Sequence, residues 1–184
     1  GGKYWQDSHR QHIVKDNRYY FDKAFMEFRR FLHNHVPEHQ QELLALRNHI
    51  DYARFRQYWE RHFKHDPLAK TKYPADVSWH VIRSYIKGSN SELFLEPEDY
   101  QSIEQKQQSV TFDTFKLVYE KVWEWYKELC NRDKLWDDQD LARLVLKEDL
   151  VRPQFPAIFC DESQDFTRLE LEVILRLSLF SDKK

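Results

Sequence analysis

Glycine is nearly absent from this chain of 184 residues: it stands only at positions 1, 2 and 88. A phosphate-cradling loop of the form GxxxxGK[ST] therefore exists nowhere in it, and no lysine sits where such a loop would neutralise the β- and γ-phosphates. Proline is scarce as well, with six residues, so an all-β fold with its many tight turns is disfavoured and long helices are favoured. The two cysteines, Cys130 and Cys160, form neither a disulfide framework nor a metal-ligand spacing, and they suit a reducing compartment. No run approaches the ~18–20 apolar residues of a membrane span. No secretory leader is visible, so the expectation is a cytoplasmic protein with no membrane contact. Charge of one sign is not in excess either, the net charge being −2. A nucleic-acid partner would therefore need a local basic stripe.

Aromatic residues are abundant at 16%, and they mark the helices. Residues 3–16 are polar and aperiodic, with His9 and His12, and read as a loop or arm. Asn17 is placed to cap a helix to about Asn34, with Tyr20, Ala24 and Phe28 at helical spacing. His33, His35 and His39 lie close in sequence. Positions i and i+2 point apart on a helix and Pro37 interrupts the segment, so solvated side chains are expected rather than a metal site. Pro37-Glu38 is expected to open a long helix to about His65, with Leu43, Leu46, Ile50 and Ala53 as its core stripe. Arg47, Arg54 and Arg61 recur every seven residues along one face, with Lys64 nearby and Tyr52, Phe55, Tyr58 and Trp59 interleaved. Cations beside rings are what a single-stranded nucleic-acid track uses. A solvated face paired with Glu42, Asp51 and Glu60 accounts for the same pattern.

A third helix is expected from the cap Asp76 to Lys87, stopped by Gly88. There Lys87, Gly88 and Ser89 present a cation, a flexible turn and a hydroxyl at a helix end, suited either to a nucleic-acid backbone or to an ordinary glycine stop. Glu96-Pro97 opens a short helix to about Gln108. Thr111 caps a clearer one whose seam is Phe112, Phe115, Tyr119, Val122, Tyr126 and Leu129, widened by Trp123 and Trp125. Asp137 is a good N-cap for the helix after Trp136. The acids of 137–140 do not make a Ca²⁺ loop, because the turn glycine and the closing Glu are missing. Finally, Thr167 and Glu170 form a T-x-x-E capping box ahead of Leu169, Val173, Ile174 and Leu177.

The most informative stretch is residues 155–167, FPAIFCDESQDFT. Ala157 to Cys160 is a short apolar run of the kind that forms a strand buried on both faces. Asp161 and Glu162 follow at its carboxyl end, where α/β sheets bind ligands. One carboxylate there can hold Mg²⁺ while its neighbour orients or deprotonates a water. The same string closely resembles motif II, the Walker B box, of superfamily 1 helicases of the UvrD/Rep kind. SWHVIRSYIKGSNSELFLEPEDYQSI (residues 78–103) resembles a segment of their inserted helical subdomain, and Trp136-Asp137-Asp138-Gln139-Asp140-Leu141 resembles the string that precedes motif II. The likeness covers roughly residues 76–180 and is strongest at 157–167; the first 75 residues carry none.

The resemblance implies Asp161 as the Mg²⁺ carboxylate, Glu162 as the catalytic base, and Gln164 and Asp165 as links from the γ-phosphate site to the rest of a motor. ATP and Mg²⁺ would be its cofactors and single-stranded DNA its partner, with Arg47, Arg54, Arg61, Lys64, Lys87 and Ser89 as candidate DNA contacts. The phosphate loop, motif Ia, the GDxxQ box and the arginine-bearing motifs of a second motor domain are absent. The expected fold is accordingly mainly α: a flexible arm at 1–16, a helical subdomain at 17–154, and the Walker B strand and helix of an incomplete RecA-like motor domain at 155–184. Such a piece alone is expected neither to hydrolyse ATP nor to unwind DNA. Two rival readings are a non-catalytic helical interaction module, in which DESQD only caps a helix, and a subunit of a helicase–nuclease repair complex.

Overall fold

The computed structural model describes residues 4–6, 13–15, 18–20, 25–160 and 163–180, and the chain is mainly helical. Its N-terminal part departs from the expected arm and helix. Strand β1 (Tyr4–Gln6) pairs antiparallel with β4 (Phe25–Glu27), and β2 (Ile13–Lys15) pairs antiparallel with β3 (Arg18–Tyr20). Among the described residues there, only Phe28–His33 is helical (α1), burying Phe28, Phe31 and Leu32. Tyr19, Tyr20 and Phe25 are residues that favour a pleated ladder, and pairing overrides the helical spacing. His9 and His12 lie outside the described residues.

The expected helix from 37 to 65 is broken into α2 (Glu38–Gln41), a 3₁₀ turn (Leu46–Asn48) and α3 (Tyr52–His62). The cause is tertiary. The Ile50 amide donates to the Trp136 carbonyl (2.8 Å) and the Trp136 amide donates to the Asn48 carbonyl (3.2 Å), which pulls residues 48–50 out of helical geometry. Asp51 then restarts the helix by accepting the Arg54 amide (2.9 Å). Of the predicted core stripe only Ile50 is buried, together with Phe55 and Trp59, while Leu43 and Leu46 are 71% and 67% exposed and Ala53 is exposed.

After α4 (Ala69–Lys72), α5 (Ala75–His80) runs into a wide π turn (Val81–Ile86) closed by the Lys87 amide on the Ile82 carbonyl (2.9 Å). Pro74, not Asp76, occupies the N-cap position. Helix α6 stops at Gln101 (Pro97–Gln101), and a 3₁₀ turn (Gln105–Gln107) replaces its expected extension. Thr111 caps α7 (Phe112–Val118) as predicted, and a second π turn (Tyr119–Trp123) continues it into α8 (Glu124–Asp133). Phe115, Val122, Tyr126 and Leu129 of the predicted seam are buried, with Val118 and Trp123; Phe112 and Tyr119 are half-buried.

The apolar side chains gather in two clusters. One joins α3, both π turns and α8 around Phe55, Ile82, Tyr100, Phe115 and Tyr126. The other joins α1, α9 (Asp138–Lys147) and α10 (Arg168–Leu177) around Phe31, Leu141, Val145, Leu169 and Val173. The chain passes from the first to the second between Leu135 and Trp136. Residues 155–177 thus share a core with 28–44 and 141–151.

Residues 157–160 form no strand. The Phe155 amide donates to the Leu177 carbonyl (3.1 Å) and the Leu179 amide to the Phe155 carbonyl (3.0 Å), and the ladder ends at that single bridge. Ala157, Phe159 and Cys160 are exposed, so the burial expected on both faces, and the core place given to Cys160, are not realised among the described residues.

Gly88 leaves the first π turn without a positive φ, so it is no left-handed helix stop. A Cβ there would collide with the Arg83 carbonyl and come within 2.9 Å of Thr167 Cβ. Glycine is required by close approach. Gly88→Ala should therefore cost about 1–3 kcal/mol, the usual penalty of overpacking, read as a lower urea midpoint at unchanged m-value.

Candidate functional site

Between the two apolar clusters lies a layer of paired polar side chains. Lys87, only 3% exposed, reaches from the end of the first π turn to Asp137 Oδ2 (2.6 Å) and Asp140 Oδ1 (2.7 Å). The Tyr126 hydroxyl donates to the same Asp137 Oδ2 (2.9 Å). Asp137 Oδ1 accepts the amides of Gln139 (2.9 Å) and Asp140 (3.2 Å), and the Asp140 carboxylate accepts the Asp137 amide (3.0 Å). That is a capping box built from two aspartates at the start of α9. Arg143, one turn further along α9, donates to the carbonyls of Ser91 and Lys87 (2.8 Å each) and lies over the Phe94 ring at 4.6 Å.

The same layer holds the turn after the acidic box. The Thr167 hydroxyl donates to Gln139 Oε1 (2.8 Å), and the Leu169 amide donates to the Gly88 carbonyl (2.9 Å). Arg83 forks onto both oxygens of buried Glu170 (3.0 and 2.9 Å) and reaches the Asp165 carbonyl (3.3 Å). Glu170 in turn accepts the Thr167 amide (2.7 Å) while Thr167 accepts the Glu170 amide, completing the predicted capping box.

Electrostatics lock this cluster. Burial alone would push the Lys87 ammonium toward neutrality, but Asp137 and Asp140 outweigh it and hold its pKa above the ordinary value. Burial, and then the charge of Asp137, push the Asp140 carboxyl upward; burial and Asp137 likewise push Tyr126 well up. Burial raises the Cys130 thiol to about 12. Lysine, tyrosine and cysteine are therefore held protonated at neutral pH, which suits positioning rather than proton transfer.

The site residues read from the sequence separate into three groups. Asp161 and Glu162 lie outside the described residues. Gln164 and Asp165 are exposed on a 3₁₀ turn (Ser163–Asp165) that leads directly to Thr167. The candidate DNA contacts are dispersed. Arg47 sits on the separate 3₁₀ turn, Arg54 donates to the carbonyls of Arg47 and His49 (2.8 and 2.9 Å), and Arg61 and Lys64 are exposed. The seven-residue stripe does not survive, because the helix meant to carry it is interrupted at Asp51. Lys87 is buried and doubly ion-paired, which withdraws it from any nucleic-acid contact. Ser89 Oγ is buried without a hydrogen-bond partner.

Among the described residues no group of His, Cys, Asp and Glu is arranged to hold a metal, and no helix is long and apolar enough to cross a membrane. His33 and His35 instead bond the Leu44 and Phe31 carbonyls (3.0 and 2.9 Å). Sequence reasoning missed Arg83, Tyr126, Gln139 and Arg143 as members of the polar layer. A usable signal was the Asp-x-x-Asp spacing of 137 and 140, which mimics a capping box. No protein-family model, curated protein or solved structure matches this chain.

Removing one partner of a buried pair leaves uncompensated charge, so Lys87→Met should cost about 3–5 kcal/mol in urea unfolding. The raised pKa fixes the pH dependence. The contribution of Lys87 is complete below its unfolded value of 10.5 and is lost as pH climbs through the higher folded value. Melts of wild type and Lys87→Met should differ by a constant amount near neutral pH and converge only in strong alkali.

Proposed function

We propose that the chain is a helical segment of a UvrD/Rep-like superfamily 1 ATP-dependent DNA helicase, joined to the acidic box of its first motor domain. The observation that supports this reading is a convergence. The three strings that carry the resemblance, at Ile86–Gly88, Trp136–Leu141 and Ser163–Thr167, are far apart in sequence and meet in one polar layer through Lys87–Asp137, Gly88–Thr167 and Gln139–Thr167. A layer of this kind holds the turn after the acidic box against the helical body, which is what coupling nucleotide turnover to strand movement requires. In this reading Asp161 holds Mg²⁺, Glu162 activates water, and Gln164 and Asp165 transmit the state of the nucleotide.

The described residues do not by themselves fit Mg-ATP. Gly88 is taken up by contact with Arg83 and Thr167, and no other described glycine could cradle a phosphate. On this reading the phosphate loop comes from another segment of the motor. Of the cations that the sequence offered as strand contacts, Arg47, Arg61 and Lys64 are exposed, and exposure alone does not choose among them. Exposure of Phe159 beside the acidic box, 94% of its surface, favours a second reading as a non-catalytic interaction module.

ATP turnover in the polypeptide that carries both this chain and a phosphate loop separates the two. Glu162→Gln should lower kcat by about 10²–10⁴-fold, as loss of a general base does, with little change in KM. Unchanged turnover would leave only the interaction module.

A further inference from the structure

An open cleft of about 510 Å³ lies along α3, α4 and the start of α5. Tyr52, Arg56, Glu60 and Lys64 line it at intervals of four, with Trp59 and Phe63 between them, so one face of α3 forms a wall. This is not the face of Arg54 and Arg61. Lys70 and Asp76 contribute from the opposite side.

Charge is concentrated here although the whole chain is slightly acidic. The lining carries Arg56, Lys64 and Lys70 against Glu60 and Asp76. Lys64 and Lys70 are exposed and have no ion-pair partner among the described residues, whereas Arg56 is steadied by Glu60 (2.7 Å). Tyr52 keeps 38% of its surface in solvent at the cleft rim, whereas Trp59 packs into the core behind it. Cations along a groove with one exposed ring at its rim match phosphates with a base stacked beside them. Glu60 and Asp76 disfavour a ligand of dense negative charge and can accept from base amino groups.

We infer that this cleft binds a short stretch of single-stranded nucleic acid, with Lys64, Lys70 and Arg56 meeting phosphates and Tyr52 stacking on a base. The inference rests on the single-strand partner proposed above but not on the acidic box, so its failure leaves the Glu162→Gln experiment untouched. It moves the contact from the arginines at 47, 54 and 61 to the neighbouring face of α3.

The test is anisotropy of a labelled oligothymidylate titrated with the full chain at several salt concentrations. Three phosphate contacts should give a slope of log K on log salt near −2, from about −0.7 per contact on a single strand. Lys64→Gln with Lys70→Gln should bring the slope to about −0.7, whereas Arg47→Gln with Arg61→Gln should leave it unchanged. Tyr52→Ala should weaken binding about fivefold or more at unchanged slope, since it removes stacking and no charge. All these positions are exposed, and unaltered far-UV dichroism verifies that the variants fold. No binding at low salt, a loss confined to the arginine pair, or equal displacement by inorganic polyphosphate or polyglutamate would overturn the inference.

Discussion

The structure depends on one buried ammonium. Lys87 lies between two apolar clusters where an unpaired charge could not be tolerated, and everything around it is arranged to prevent that. Both oxygens of Asp137 are occupied, Oδ1 by two amides of the α9 N-terminus and Oδ2 by Lys87 and Tyr126. The positive end of the α9 dipole helps to hold two carboxylates beside one lysine. Such a cluster adds little net stability over a well-packed apolar replacement, because desolvation offsets most of the attraction. Its effect is on register: α9, the first π turn and α8 satisfy these groups together in only one relative position.

The parts legible in the sequence were those decided locally. Thr111, Asp137 and Thr167 cap helices because a side-chain oxygen needs only amides two or three residues ahead. The aromatic seam of residues 112–129 was legible too, since one long helix carries it. What escaped prediction was decided from a distance. Nothing near His49 announces that Trp136 will bond on both sides of it and interrupt a helix. Likewise, a lysine in a last turn beside glycine reads as a partner for the helix dipole; only the folded chain brings it to Asp137.

The same distinction accounts for the basic residues. Spacing of seven places Arg47, Arg54 and Arg61 together only if one helix spans them, and the break at Asp51 removes that condition. Once α3 begins at Tyr52, the face at intervals of four carries Arg56 and Glu60 and leads to Lys64 just past the helix end, while Arg54 turns back to satisfy carbonyls of the preceding turn. Phe55 and Trp59, which sequence order interleaves with the arginines, go into the core. Charge pattern is therefore informative only after the helix boundaries are known.

The acidic box shows the opposite limit. Its local pattern, an apolar run ending in carboxylates, describes the surroundings in which such a run is stable, not the chain that provides them. Phe155 is pinned to the end of α10 and buried, yet from Pro156 to Phe159 exposure rises abruptly. The outer side of α10 and the residues just after it repeat this, with Leu175, Leu179 and Phe180 exposed. An extended segment with uncovered apolar side chains and unpaired backbone groups is costly in water, and it gains most from a sheet that pairs its edge and a layer that covers it. On the proposed reading both come from the motor domain. The polar layer fixes where they must arrive: Arg83 holds Glu170 and the Asp165 carbonyl, so the turn after the box cannot shift without breaking that fork. On that reading the helical body sets the position of the turn after the box, and the sheet of the motor domain would supply the cover that the preceding segment lacks.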